Sequence, residues 1–305
     1  MRTGPVTPEL LRASVIAVPP LARTEDYSLS IPDNRRIIEH IEKGGIRTLL
    51  YGGNANLYHL RPEEYGALLE IIAGAAAEET LVIPSVGPTY GTMMHQASLL
   101  AESMFPTAMI LPMQGFTTSQ GVAEGIRHFV ESFGRPVVVY IKNLGYLDPE
   151  DVALLTEGGH VSFIKYAIVC ADPAEDPYLN RLVEIVDPSI IVSGIGEQPA
   201  GIHREHFRLT GYTSGCVCLN PGLSQAMLEA LNAGDITRAG TIRKLFEPLE
   251  ELRNSISPVR VLHEALHLAG IANTGPHLPL LSRLNDSERK AVEEAACNLL
   301  QLPIP

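Results

Sequence analysis

The chain has 305 residues, a formal net charge of −12, and 45% hydrophobic against 19% charged side chains. That suits one large core with an appendage, and the acidic balance argues against nucleic acid or an anionic membrane surface as partner. No apolar run approaches the roughly 18 residues of a membrane span.

The opening MRTGPVTPELLRASVIAVPP lacks the basic and then long apolar pattern of a secretory leader. The four cysteines, Cys170, Cys216, Cys218 and Cys297, form no CxxC. A cytoplasmic protein with reduced thiols is the expectation.

Short apolar or β-branched runs recur along the chain: Ser14–Val18, Thr48–Tyr51, Leu81–Val86, Ala108–Leu111, Val137–Ile141, Ser162–Tyr166, Ser189–Ser193 and Thr213–Leu219. Their starts lie about 25 to 35 residues apart, the length of one βα unit. Helical patterns fill the gaps, among them Asn34–Lys43, Pro62–Ala77, Gly121–Phe133 and Pro149–Glu157, several with Asp or Pro near the first turn. Continuous apolar strands alternating with helices imply a covered parallel sheet. Eight such units predict an α/β fold, a (β/α)8 TIM barrel over residues 1–222. An open doubly wound sheet would favour GxGxxG after the first strand, where Val18-Pro19-Pro20 stands. After the eighth run the pattern turns helical over Leu223–Ala233, Ile236–Arg253, Pro258–Leu268 and Asp286–Leu300, predicting a C-terminal helical extension over 223–305.

Of the five lysines, Lys43, Lys244 and Lys290 sit in polar helical contexts. Lys165 lies inside the sixth run, Val161-Ser162-Phe163-Ile164-Lys165-Tyr166-Ala167-Ile168-Val169. Burial penalises a charged amine, so its pKa should fall and leave a neutral nucleophile near neutral pH. Desolvated lysines of this kind form Schiff bases with carbonyl substrates. The other reading is a lysine that snorkels from a strand end or pairs with a carboxylate. Tyr140, near the end of the fifth run, would stand beside Lys165 on a neighbouring stave and could relay protons.

The order and spacing of these segments resemble the dihydrodipicolinate synthase / N-acetylneuraminate lyase family of class I aldolases. The likeness rests on the Tyr140 strand and on Phe163-Ile164-Lys165. It also rests on Ile191-Val192-Ser193-Gly194, on the loop Leu50-Tyr51-Gly52-Gly53-Asn54-Ala55-Asn56, and on Thr213-Ser214-Gly215. The resemblance implies a homo-oligomer, dimer or tetramer, with Lys165 as the Schiff-base lysine and Tyr140 as the relay phenol. It implies that Gly52, Gly53 and Asn54 hold a keto acid's carboxylate, and that Ser193, Gly194 and Val217 line the substrate site.

The departures bear on substrate. The family's paired loop threonines read Gly53 and Asn54, and its tyrosine pair after the fourth strand reads Met113-Gln114. The arginine that dihydrodipicolinate synthase keeps after the fifth strand falls at Gly145, and Lys142 is the candidate replacement cation. The segment Ile195-Gly196-Glu197-Gln198 lacks the usual acidic pair.

Other signals read as structural. His263-Glu264-Ala265-Leu266-His267 is a formal HExxH, but the third zinc ligand position holds Asn273, so no metal is expected. His203 and His206 follow the seventh run, where they could contact substrate at the top of the barrel, although a polar helix start is the favoured reading. Asp172, Glu175 and Asp176 read as a solvated helix N-terminus, and Glu247, Glu250, Glu251 and Arg253 as an exposed charged face.

The expected activity is a Schiff-base lyase, aldolase or dehydratase, acting on pyruvate or a 2-keto(-3-deoxy) acid without cofactor. The competing reading is a non-catalytic barrel that binds a keto acid or another small metabolite.

Overall fold

The eight apolar runs become the staves of a closed barrel in the computed structural model, which describes residues 1–305. The strands are β1 (Ile16–Ala17), β2 (Thr48–Leu50), β3 (Leu81–Ile83), β4 (Ser85–Val86), β5 (Met109–Ile110), β6 (Val137–Ile141), β7 (Val161–Tyr166), β8 (Ile191–Ser193) and β9 (Gly211–Ser214). Pro84, which has no N–H to give a ladder, divides the third run into β3 and β4. The parallel order β3-β2-β1-β9-β8-β7-β6-β5-β4 therefore begins and ends on two halves of one stave, which closes the barrel.

Two runs end differently from expectation. Residues Cys216–Cys218 form a 3-10 turn rather than the end of the last strand. The Ser214 hydroxyl accepts the Val217 N–H (3.0 Å) and draws the chain out of the sheet. At Pro188–Ile190 another 3-10 turn precedes β8, because the Asp187 carboxylate takes the Ser189 N–H (2.9 Å).

The faces of the staves follow from alternation. Tyr166 stacks on Tyr178 of the outer helix Pro177–Ile185, so Lys165, one residue earlier, points into the barrel. Tyr140 pairs with Lys165 in the β6–β7 register and points inward with it, and Ser193 pairs with Tyr166 and points outward. The C-terminal helices run Pro221–Ala233, Ile236–Ser255, Pro258–Leu268 and Asp286–Gln301. Asn220 Nδ2 donates to the carbonyls of Leu299 (2.9 Å) and Leu302 (3.0 Å), which ties the last helix to the barrel.

Asp176 corrects the solvated reading of its segment. Asp172 and Glu175 are exposed, but Asp176 is buried. It caps the helix Pro177–Ile185 by accepting the Leu179 N–H (2.9 Å), and it accepts the Tyr166 hydroxyl proton from the back of β7. Replacing it by Ala removes a cap and orphans a buried phenol. Asp176→Ala should lower unfolding stability by about 2–3 kcal/mol, read as a shift in urea midpoint at constant slope.

Candidate active site

A pocket of about 270 Å³ opens at the carboxyl ends of the staves. Lys165, Tyr140, Lys142, Gly53, Asn54 and Gly194 all line it. Lys165 Nζ lies 4.1 Å from the centroid of the Tyr140 ring, over its face. Behind the lysine sits Gly194, where a Cβ would fall 3.0 Å from Lys165 Cγ and 2.7 Å from the Tyr166 carbonyl oxygen. Glycine at 194 thus leaves the lysine stem its path along β8.

Burial drives the Lys165 pKa down to about 7, and the positive charges of Lys142 and then Arg253 push in the same direction. The Tyr140 hydroxyl moves the other way. Burial pushes its pKa up, so it remains a protonated phenol that can donate and be recharged.

The loop after β2 supplies donors. The backbone N–H groups of Gly53, Asn54 and Ala55 reach no acceptor within the protein, and Gly53 and Asn54 face the pocket. Asn54 Nδ2 donates to the Val18 carbonyl (3.0 Å), which fixes the loop to the end of β1. Adjacent free amides of this kind suit a carboxylate.

Gly52, Ser193 and Val217 stand behind the pocket wall instead of lining it. A Cβ on Gly52 would meet Met109 Cε at 2.7 Å, within the packed interior. The outward Ser193 hydroxyl bonds His203 Nδ1 (2.9 Å) in the helix layer. Val217 is buried in the 3-10 turn. His203 itself is buried, and desolvation lowers its pKa to about 4, so it is a neutral packing residue; His206 is exposed. His263 is buried against His277, with ring centroids 4.3 Å apart, and faces the Gly275 carbonyl, while His267 is exposed.

Arg253 is the residue that sequence reasoning missed. The exposed-face reading of Glu247, Glu250, Glu251 and Arg253 holds for Glu251 but not for Glu250, which is buried, or Arg253, which lines the pocket. A signal was present. Ala239, Ile242, Phe246, Leu249 and Glu250 form a buried stripe at helical spacing, and Arg253 continues it. Glu250 Oε1 accepts the Glu197 N–H (2.9 Å), and Glu197 accepts the hydroxyls of Ser214 (2.8 Å) and Ser224 (2.7 Å). Burial raises the pKa of both carboxyls, so the pair retains a proton. Gly196 is obligatory beside them: its φ is +101°, and a Cβ would lie 2.3 Å from Glu250 Oε1.

An inward lysine and tyrosine at the carboxyl end of a (β/α)8 barrel, facing free backbone amides, define the class as a barrel lyase. The match to the dihydrodipicolinate synthetase family model spans residues 18–298, and the chain belongs to that family. A 4-hydroxy-tetrahydrodipicolinate synthase of Methylococcus capsulatus is 26% identical over 295 residues, covering 94% of this chain and 98% of that one. A Rhizobium rhizogenes protein described as a probable 5-dehydro-4-deoxyglucarate dehydratase is 25% identical over 251 residues, covering 80% of each. Among solved structures, a dihydrodipicolinate synthase from Bacillus clausii superposes with a TM-score of 0.85 at 23% identity, covering 95% of this chain and 98% of that one. The sialic acid aldolase of Ruminococcus gnavus gives 0.82 at 16%, covering 94% and 97%. These superpositions share the fold.

The lowered amine pKa has a direct readout. Titration of Lys165 by NMR of a reductively labelled amine should give a midpoint near 7. Lys142→Met removes a like charge and should move that midpoint upward; no movement would show that Lys142 does not act on the amine.

Proposed function

We propose that this protein is a Schiff-base lyase, aldolase or dehydratase, acting on pyruvate or a 2-keto(-3-deoxy) acid, with Lys165 as nucleophile. The observation that carries the reading is the buried Lys165 amine, lowered to about 7 and set over Tyr140 in the pocket. The neutral amine attacks the C2 carbonyl, forming the Nζ–C2 bond, and the carbonyl oxygen leaves as water after two proton transfers. Tyr140 moves those protons. The resulting iminium draws electrons from the neighbouring carbon, so a carbon–carbon bond can cleave or a hydroxyl can depart. The free amides of Gly53 and Asn54 hold the substrate's C1 carboxylate and orient the carbonyl toward Nζ.

The relatives' names include both a synthase and a dehydratase, which is why both outcomes on the common iminium are retained. No helix is long and apolar enough to cross a membrane. The four cysteines are unpaired, which supports a reducing, cytoplasmic setting. Membership of this family supports assembly into a homo-oligomer, a dimer or tetramer.

Borohydride reduction in the presence of pyruvate or another 2-keto acid should leave an adduct on the Lys165 peptide, absent from Lys165→Ala. Adduct yield should rise with pH through about 7 as the amine loses its proton. Tyr140→Phe should slow adduct formation by roughly 10²–10⁴. Ligand affinity unchanged by Lys165→Ala, with no adduct from any keto acid, would instead establish a binding barrel.

A further inference from the structure

We infer that the substrate is a dianion, a 2-keto acid carrying a second carboxylate or a phosphate, and that Arg253 receives this second anionic group. The inference rests on the Lys165 reading above and specifies its substrate class.

Charge on the pocket wall is one-sided. Three cationic side chains line it, Lys142, Lys165 and Arg253, and no Asp or Glu does, in a chain whose net charge is −12. None of the three takes part in any of the chain's ion pairs. Arg253 Nε is buried without a hydrogen-bond partner, and Nη1 finds only the soft Cys216 sulfur at 3.9 Å. Leaving a guanidinium donor buried and unpaired is unfavourable unless a ligand completes it.

The nearby carboxyls do not complete it. Both Glu197 oxygens are taken by serine hydroxyls, and Glu250 Oε1 by the Glu197 N–H. Glu250 Oε2 is unpartnered but makes no pair with Arg253 within 4 Å, and this buried carboxyl is driven toward its neutral form. A monoanionic keto acid does not complete it either. In the reading above its single carboxylate rests on the amides of Gly53 and Asn54, which have no acceptor within the protein.

The two outer cations flank the reacting lysine. Lys142 stands at the end of β6, and Arg253 reaches in beside Gly196 and Cys216, after β8 and β9. A guanidinium offers a fork that matches carboxylate or phosphate oxygens pairwise, whereas exposed Lys142 adds an unspecific field at the rim. The cavity, about 270 Å³, exceeds what a three-carbon acid fills.

The test compares half-saturation of borohydride trapping by 2-oxoglutarate and by 2-oxopentanoate, which match in chain length and differ in one carboxylate. Wild-type protein should prefer the dianion by about tenfold or more, the value of one charged hydrogen bond. Arg253→Met should collapse that ratio, and Arg253→Lys should restore part of it. Lys142→Met gives a second reading if Arg253→Met fails to fold, and should lower the ratio less.

Calorimetry with glutarate and with inorganic phosphate, neither of which forms an imine, reads the anion site alone. Tighter glutarate points to a dicarboxylate and tighter phosphate to a phosphorylated acid, each weakened about tenfold by Arg253→Met. Equal trapping of the two keto acids, or a ratio and glutarate affinity untouched by Arg253→Met, would overturn the inference and leave Arg253 with a structural role beside Cys216. No adduct from any keto acid would sink the Lys165 reading instead, and the glutarate titration would still decide the anion site.

Discussion

Burying one amine inside the barrel is the constraint around which the site is arranged. A charged lysine in the strand Val161–Tyr166 would suffer the full desolvation penalty, so the folded chain favours its neutral form. The tyrosine face beneath Nζ partly offsets this by favouring a cation. The lowered value of about 7 follows from that burial, with the repulsion of Lys142 and then Arg253 added. The stem needs a clear path, which explains glycine at 194. The inward direction needs β7 held firmly, and Tyr166 supplies that from the opposite face through Asp176 and Tyr178. The buried pocket lysine and the anchor of its strand are therefore adjacent residues on opposite faces of β7.

The C-terminal helices are more than a cover for the barrel. The buried Glu197–Glu250 contact joins the segment after β8 to the helix Ile236–Ser255, and the two serine hydroxyls extend that contact to β9 and to the helix Pro221–Ala233. Four elements meet on two carboxyls. An arrangement of this kind, with its polar atoms mostly satisfied, fixes orientation more than it adds stability. Its consequence is local: Arg253, one helical turn beyond Glu250, enters the pocket.

The barrel was legible because its period is strong. Eight apolar runs at βα spacing, together with the family resemblance, led to the staves, and Tyr140 beside Lys165 followed from strand adjacency alone. Failures came where a side chain rewrote the local backbone or where charge was taken as a sign of exposure. The Ser214 hydroxyl turned a β-like Cys216–Cys218 segment into a 3-10 turn. Ser193 was assigned to the substrate on its likeness to a motif, although its place one residue past an inward position puts its hydroxyl among the outer helices. Glu250, Arg253 and Asp176 were read as solvated because they are charged, whereas tertiary contacts bury Glu250 and Asp176 on hydrogen-bond partners and bring Arg253 to the pocket. The stripe Ala239, Ile242, Phe246 and Leu249 carried enough phase to question that reading at Glu250.

The placement of the cations has a mechanistic consequence. In the free protein, Lys142 and Arg253 help to keep the Lys165 amine neutral, the form that attacks a carbonyl. In the proposed Schiff-base mechanism the chemistry then demands the reverse, because the iminium must be protonated to draw electrons. A dianionic substrate would supply the change itself: its negative charges screen the two cations as it binds, and the field that opposed a positive charge at Nζ weakens or reverses sign. The same residues would thus favour a neutral nucleophile before binding and a cationic intermediate afterwards. A monoanion whose carboxylate rests on backbone amides would leave Arg253 unneutralised, and the iminium would form against its repulsion.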